Sequence, residues 1–281
     1  MGKRRLCIFG RSYLGSKKII VQKLVNKVKK LLGNKKQGGA YQREEEHSTK
    51  QQFPSDFTEN EITAIKRVSK FSMTSVERLV TLYRAVDYIE TNEIEGDVVE
   101  CGVWRGGSMI LVANRLKEYN NQKRNLFLFD TYEGMTKPMD VDVSFDNQKA
   151  DSLLQSVNKK MYEGNNIWCY ASIEDVRANV FATNYNPAKI YLIKGKVEDT
   201  LPTDKISKIA LLRLDTDWYE STKHELEHLY DKLVNGGILI VDDYGHWQGA
   251  KKAVDEFILN RKLKLFLNRI DYTGRLIIKN D

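Results

Sequence analysis

From about residue 60 onward the chain alternates two hydrophobic rhythms. VERLVTLYRAVDYIE (76–90) and SMILVANRLKEY (108–119) carry apolar residues at helical spacing, and residues 172–183, 221–234 and 249–260 read as further helices. Between them lie short apolar runs of strand length: DVVECGV (97–103), NLFLFD (125–130), AKIYLIKG (188–195), KIALLRLD (208–215) and GILIVDD (237–243). Strands that are apolar almost throughout are buried on both faces, which predicts a parallel sheet flanked by helices. Two last apolar segments, LKLFLNRI (263–270) and GRLIIK (274–279), are joined by a turn and predict an antiparallel hairpin at one edge. The expected fold is α/β, a doubly wound and mostly parallel sheet closed by that hairpin. Ligands of such sheets collect at the C-terminal strand ends.

The N-terminal residues follow another pattern. In KKIIVQKLVNKVKKLL (17–32), Ile20, Leu24, Val28, Leu31 and Leu32 share a helical face with Val21 and Val25, while Lys23, Lys27, Lys29 and Lys30 cover the rest. Gly33 and the pair Gly38–Gly39 stop this basic amphipathic helix, and QREEEHSTKQQ reads as linker. Residues 1–45 are therefore expected to form a leader and linker, and 46–281 the main domain.

Charge sharpens this division. The net charge is +7, but residues 1–43 hold 13 Lys and Arg and no acidic residue, which leaves 32 basic against 38 acidic residues in the remainder, a net of −6. A mildly acidic body argues against a nucleic-acid partner. The leader helix has three available roles: peripheral contact with an anionic membrane through residues 17–32, docking on a partner subunit, or docking on its own body. Like a transit peptide it lacks acidic residues, but it uses Lys where those favour Arg and Ser. Cys7, Cys101 and Cys169 are widely spaced, form no CxxC pair and suit a reducing compartment. No apolar run approaches a membrane span or a signal-peptide core. The expected location is cytoplasmic, membrane-peripheral if the leader binds lipid.

Four strand candidates end in polar signatures: ECG, FD, RLDTD and VDD. In VVECGVWRGGSMI the run passes from strand through turn to helix, and Gly102, Gly106 and Gly107 let backbone approach a ligand closely. The spacing is neither the dinucleotide G-x-G-x-x-G nor a P-loop. Glu100 repels phosphate and suits a cationic amine, which favours S-adenosylmethionine over a pyrophosphate cofactor. Asp130, 28 residues after Gly102, stands where a carboxylate accepts hydrogen bonds from ribose hydroxyls, though DTYEG also suits a helix cap.

Asp215 and Asp217 follow the fourth strand, and Asp242 and Asp243 follow the fifth. Up to four carboxylates converge if these strands are neighbours. That cluster is costly alone and favourable around a hard divalent cation. Magnesium is the expected ion, with calcium and manganese as alternatives. Capping of the helices at DWYEST and DDYGHWQGA accounts for part of one pair but not for both. Such a cation lowers the pKa of a bound hydroxyl, and a spare carboxylate takes the proton.

Together, GDVVECGVWRGGSM, LFDTYEGM, VEDTLP, LLRLDTDWYEST and GGILIVDDYGHWQGAKKAV closely resemble the macrocin O-methyltransferase (TylF/MycF) family. MTSVERLVTLYRAVDYI (73–89) carries the resemblance ahead of the glycine turn. It covers about residues 60–262 and leaves the basic leader outside. It implies a class I, Rossmann-like, S-adenosylmethionine- and magnesium-dependent O-methyltransferase (EC 2.1.1.-) that methylates a hydroxyl, with a sugar of a glycosylated metabolite or glycan as acceptor. On matching positions it implies Asp215, Asp242 and Asp243 as metal ligands and Asp217 as general base, with room for Asp215 to share that work. Glu100 and Gly102 would hold the methionine end of the cofactor and Asp130 its ribose. Lys196 and Val197 would lie near the adenine, and Gly106, Ser108 and Asp215 would complete the cofactor site. Relatives form oligomers, so a homo-oligomer is expected.

TKPMDVDVSFDNQKA (136–150) is polar and acidic with little periodicity, and is expected to form a mobile cover. Ser172 and Asp175 read as a helix cap. His246, after the aspartate pair, is a minor acid/base candidate. Trp218, Tyr219 and Trp247 are candidates for stacking on a sugar or for core packing. Two other classes fit less of the sequence. A metal-dependent hydrolase leaves ECG and Asp130 unexplained, and a non-catalytic binding module leaves both carboxylate pairs without purpose.

Overall fold

In the computed structural model, which describes residues 53–157 and 167–280, seven strands form a single sheet in the order β3-β2-β1-β4-β5-β7-β6. The strands are β1 (Asp97–Cys101), β2 (Leu126–Asp130), β3 (Ile190–Lys194), β4 (Ile209–Leu214), β5 (Leu233–Val241), β6 (Asn268–Arg269) and β7 (Arg275–Ile278). The first five are parallel, and β7 runs antiparallel to both β5 and β6. The order reverses between β1 and β4, and at such a switch point the connections diverge and leave a crevice. This is the expected class I methyltransferase architecture.

The helices are α1 (Glu59–Val68), α2 (Val76–Thr91), α3 (Gly107–Glu118), α4 (Ala150–Ser156), α5 (Ile173–Phe181), the single turn α6 (Val197–Thr200), α7 (Tyr219–Leu229) and α8 (Gln248–Asn260). Alternation along the strands divides the core in two. Val98, Leu126, Leu128 and Leu211 pack with α1, α2, α3 and α5. Val99, Phe127, Leu212, Leu239 and Val241 pack with α7 and α8 on the other face. All six residues of β4 are buried, which is the burial its near-continuous apolar run predicts. Ser75 and Ser172 cap α2 and α5 by accepting from the amides of Arg78 and Asp175, each cap contributing about 1 kcal/mol.

Two expectations need correction. The hairpin strand at 263–270 shrinks to the two residues of β6, because Leu263, Leu265 and Leu267 pack against the core on the α8 side instead of joining the ladder. The segment 136–150 is not a loose cover. The Asp142 carboxylate accepts from the amides of Met139 (2.7 Å) and Tyr219 (2.8 Å), so it caps the N-terminus of α7. The Val143 carbonyl accepts from the amide of Gln248, and Ser144 pairs with Trp247 at the start of α8. A Cβ on Gly249 would meet Asp142 Oδ1 at 1.9 Å, so the strap is seated on α8 too closely for any side chain there. The leader helix at 17–32 lies outside the described residues. Among those described, no helix is long and apolar enough to cross a membrane.

Candidate active site

Register brings the polar strand ends to one level. Cys101 stands opposite Phe129 on one side and Leu214 on the other, and Leu214 opposite Val241. The ladder continues for one more residue: the amide of Gly102 donates to Phe129 O (2.9 Å), that of Asp215 to Cys101 O (2.8 Å), and that of Asp242 to Leu214 O (2.9 Å). Above them opens a cleft of about 1080 Å³, continuous with solvent. Gly102, Ser108, Asp130, Lys196, Val197, Asp215, Asp217, Asp242 and Asp243 all line it.

At one end, a carboxylate oxygen from each of Asp215, Asp242 and Asp243 lies within 4.8 Å of the others. Two arginines that the motif reading missed hold this cluster. Arg213 stands opposite Glu100 in the β1–β4 register, pairs with it at 2.7 Å, and reaches Asp215 Oδ2 (2.7 Å) and Asp242 Oδ1 (2.8 Å). Arg78, from the first turn of α2, pairs with Asp242 Oδ2 and with Asp271 (3.0 Å). The lone Arg in the buried run LLRLD was the available signal, since a buried guanidinium requires carboxylate partners.

Glu100, Asp215, Asp217, Asp242 and Asp243 still outnumber these two cations. The imbalance shows in the pKa values. Burial pushes Asp217 up to about 7, helped by the charge of Asp215, and Asp217 hydrogen-bonds Asp243. Burial, then the charges of Asp217 and Asp215, push Asp243 well above the carboxylate range. Burial also raises Glu100 to about 7, against the pull of Arg213. Part of the Asp217 surface reaches the cleft, yet protein surrounds it closely enough for desolvation to dominate. Asp243 Oδ2 is buried with no hydrogen-bond partner, and Asp242 Oδ1 faces Arg213 out of hydrogen-bonding alignment. Oxygen donors, surplus negative charge and orphaned lone pairs fit a hard divalent cation.

A pH prediction follows. Asp217 and Glu100 have folded pKa values raised to about 7 and Asp243 is raised well above the carboxylate range, so the cation-free protein holds extra protons at pH values above the unfolded carboxylate range. Their contribution to stability is complete below the unfolded pKa and is lost as pH rises toward 7. A divalent cation competes with those protons. The rise in Tm on adding magnesium should therefore be small near about pH 5.5 and grow through neutrality. Scanning calorimetry with and without magnesium across that range tests this; a shift independent of pH contradicts it.

At the other end, Asp130 uses most of its accepting capacity on its own fold. Its Oδ2 accepts from the amides of Val103 (2.7 Å) and Trp104 (3.0 Å), and its Oδ1 from that of Tyr132 (2.7 Å). A carboxylate has about four acceptor positions, so roughly one is left for a ligand hydroxyl. Burial raises its pKa and these amides oppose the rise. Gly102 adopts φ +83°, and a Cβ there would stand 2.0 Å from the Asp215 carbonyl oxygen. Lys196 is the N-cap of α6, which begins at Val197.

Three of the catalytic and cofactor candidates, and the three aromatic ones, do not line the cleft. Glu100, 1% exposed, lies behind its wall on Arg213, with Oε2 buried and lacking a hydrogen-bond partner. Gly106 begins α3 at φ +87° and abuts Val180 of α5, so its role is helix packing. His246 sits outside the acidic end, its ring 5.5 Å from Phe145 and its Nδ1 3.2 Å from the Tyr272 hydroxyl. Trp218 and Trp247 are 2% and 5% exposed and pack edge to face at 4.9 Å, while Tyr219 donates to Glu256. Core packing claims both tryptophans.

Comparison with known proteins agrees with this geometry. The profile of the macrocin-O-methyltransferase (TylF) family matches residues 13–279, well beyond the span of the short motifs and into the basic leader. Demethyldecarbamoylnovobiocin O-methyltransferase of Streptomyces niveus is 34% identical over 186 residues, 66% of this chain and 67% of that protein. The 8-demethyl-8-(2,3-dimethoxy-alpha-L-rhamnosyl)-tetracenomycin-C 4'-O-methyltransferase of Streptomyces olivaceus is 31% identical over 203 residues, 72% of this chain and 73% of that one. Among solved structures, the O-methyltransferase NovP superposes with a TM-score of 0.64 at 32% identity, covering 75% of this chain and 83% of its own.

Proposed function

The chain belongs to the macrocin O-methyltransferase (TylF) family, and from that premise we propose that it methylates a sugar hydroxyl of a glycosylated small molecule or glycan. It is an S-adenosylmethionine-dependent O-methyltransferase. The observation that carries the reading is one cleft lined at one end by Gly102, Asp130 and Val197 and at the other by four aspartates. The sugar acceptor draws support from the relative whose name specifies a rhamnosyl group.

When bound, S-adenosylmethionine supplies an electrophilic methyl group and a divalent cation supplies a charge that lowers the pKa of a hydroxyl. The chain provides the rest. Asp215, Asp242 and Asp243 are assigned to the cation, with Arg213 and Arg78 holding two of them in place. Asp217 is assigned as the base: φ of +66° re-aims it from the line of β4, and its indole partner Trp247 and neighbour Asp243 fix its carboxylate. A carboxylate tuned near neutrality is suited to accept a hydroxyl proton. Asp130 would accept one ribose hydroxyl, Ser108 and the Gly102 backbone would hold the methionine end, and Lys196 and Val197 would hold the adenine. Glu100, behind the cleft wall, holds Arg213 in place beneath Asp215 and Asp242. Widely spaced cysteines without a CxxC pair and this cofactor support a cytoplasmic reaction.

The test is transfer of labelled methyl from S-adenosylmethionine to a panel of methyl and p-nitrophenyl deoxyhexosides, with magnesium or with a chelator. Label should reach a sugar hydroxyl only with magnesium. Calorimetry that finds no S-adenosylhomocysteine binding under either condition overturns the reading.

A further inference from the structure

One charge beside the acidic end has no part in the chemistry above. Asp271 lies in the turn between β6 and β7, its side chain 10% exposed, and it does not line the cleft. Its Oδ1 accepts from the amides of Thr273 (2.9 Å) and Gly274 (2.6 Å), and its Oδ2 from the Ser75 hydroxyl (2.7 Å) and Arg78 Nε (3.0 Å). A carboxylate has about four acceptor positions, so all are in use. Burial by itself would raise its pKa, but the Gly274 amide, the Ser75 hydroxyl, the charge of Arg78 and the Thr273 amide hold it below the usual value, and it is ionised at neutral pH. The two oxygens do different things. Oδ1 closes the turn, a local task common for Asp. Oδ2 is committed to α2, 193 positions away in the chain, and the turn does not need it.

Arg78 is what that oxygen holds. It places Nε on Asp271 and Nη1 on Asp242 Oδ2, so one guanidinium stands between two carboxylates. The group is planar and rigid, and a partner at one nitrogen therefore fixes where the others point. The turn is shaped around its stem: a Cβ on Gly274 would meet Arg78 Cδ at 2.9 Å and Cγ at 3.0 Å. The same turn also holds the main chain of Asp242, whose carbonyl accepts from Thr273 Oγ1 at 2.8 Å. Both the side chain and the backbone of Asp242 are thus referred to one short turn.

Electrostatics gives the arrangement a consequence. Arg78 on Asp242 alone would set a full positive charge beside the three carboxylates assigned to the cation, and like charges at that range repel. Asp271 cancels the charge from the other side. A guanidinium released from Asp271 is also free to take Asp242 with two donors, and it then occupies lone pairs that an ion needs.

We propose that Asp271 is a positioning residue for the divalent cation, acting through Arg78: it aims the guanidinium and cancels its charge, so that Asp242 stays available to the ion. The inference rests on the assignment of Asp215, Asp242 and Asp243 to that ion. It accounts for an ionised carboxylate placed outside the cleft with one oxygen committed to Arg78 and Ser75.

The test reads ion affinity, not turnover. Full-length protein saturated with S-adenosylhomocysteine is titrated with manganese, followed by electron paramagnetic resonance, and with magnesium in competition. Wild type is compared with Asp271→Asn, Arg78→Gln and the double variant. Asn keeps an oxygen for the amides of Thr273 and Gly274, so the turn survives and only the hold on Arg78 is lost. Asp271→Asn should weaken both ions by about tenfold or more. Its S-adenosylhomocysteine affinity should stay within about twofold of wild type, which also confirms folding. Added to Arg78→Gln, the same change should alter ion affinity by less than about twofold, because the residue it acts through is gone. Unchanged ion affinity in Asp271→Asn overturns the inference. So does a tenfold loss that persists without Arg78, since the turn and not the guanidinium would then carry the effect. If Asp271→Asn does not fold, Gly274→Ala takes its place: the added Cβ displaces the Arg78 stem with Asp271 intact and should cost the ions about the same tenfold. Unchanged ion affinity there overturns the inference equally. Wild type that binds S-adenosylhomocysteine but neither ion sinks the cation assignment and this inference with it, a failure visible before any variant is made.

Discussion

Replacing Asp217 with Asn is expected to lower kcat by about a thousandfold, within the range of about 10²–10⁴ that a positioned base contributes. Affinity for S-adenosylhomocysteine should stay within about threefold, because Asn keeps the shape and the indole contact of Trp247. The amide cannot accept a proton, and the other aspartates at this end of the cleft are already engaged. Asp215 is ion-paired to Arg213, Asp242 to Arg213 and Arg78, and Asp243 is assigned to the cation. The comparison variant is Asp215→Asn, which should weaken magnesium binding as well as turnover, whereas Asp217→Asn should leave magnesium bound. Single-turnover methyl transfer and metal titration separate the two. A kcat within tenfold of wild type for Asp217→Asn would falsify its assignment as base.

Gly102→Ala is expected to damage both ends of the cleft at once. The added Cβ would stand 2.0 Å from Asp215 O and 2.6 Å from its carbonyl carbon, atoms of a backbone fixed in the β1–β4 ladder. No rotamer change relieves a clash with main chain, and φ of +83° adds strain of about 1–2 kcal/mol for any L side chain. With overpacking, the cost is about 2–5 kcal/mol, or roughly 5–20 °C in Tm for a domain of this size. Since Asp215 must move, S-adenosylhomocysteine and magnesium affinities should each fall by about a hundredfold or more. Gly106→Ala is the control. It is strained to the same degree at φ +87° but meets only a methyl of Val180, at 2.8 Å. It should lose stability and keep both affinities within a few-fold. If Gly102→Ala behaves like Gly106→Ala, the close approach of β1 and β4 does not hold the site together.

Much of this was legible before folding because the signals are local. Near-continuous apolar runs identified β1, β2, β4 and the end of β5, since a strand covered on both faces cannot carry polar residues along its length. The edge strand β3 gave the same signal although only Ile190 of it is buried. ECG, FD, RLDTD and VDD sit at strand ends, where one residue follows the last ladder bond, so their shared level follows from any parallel order. The hairpin failed at its first strand because Leu263, Leu265 and Leu267 alternate as well for packing under α8 as for pairing. Periodicity does not distinguish the two. The strap at 136–150 looked mobile because its anchor, Asp142, seats on the N-terminus of α7, some 77 residues away, a partner that local pattern cannot reveal.

The sequence by itself therefore determined the fold class, the family and the carboxylates that stand at the strand ends, because each depends on neighbours within a few residues. The tertiary structure decided the charge balance and the exposure. Arg78 reaches Asp242 across 164 positions and Arg213 reaches Glu100 across 113, and those pairings set which acids face an arginine. Phe145, His246 and Tyr272 meet only because three distant segments dock together, while the tryptophans that looked equally suited for a sugar are enclosed. Burial and Coulomb energy depend on separation in space, which the order of residues along the chain constrains only over a turn or two.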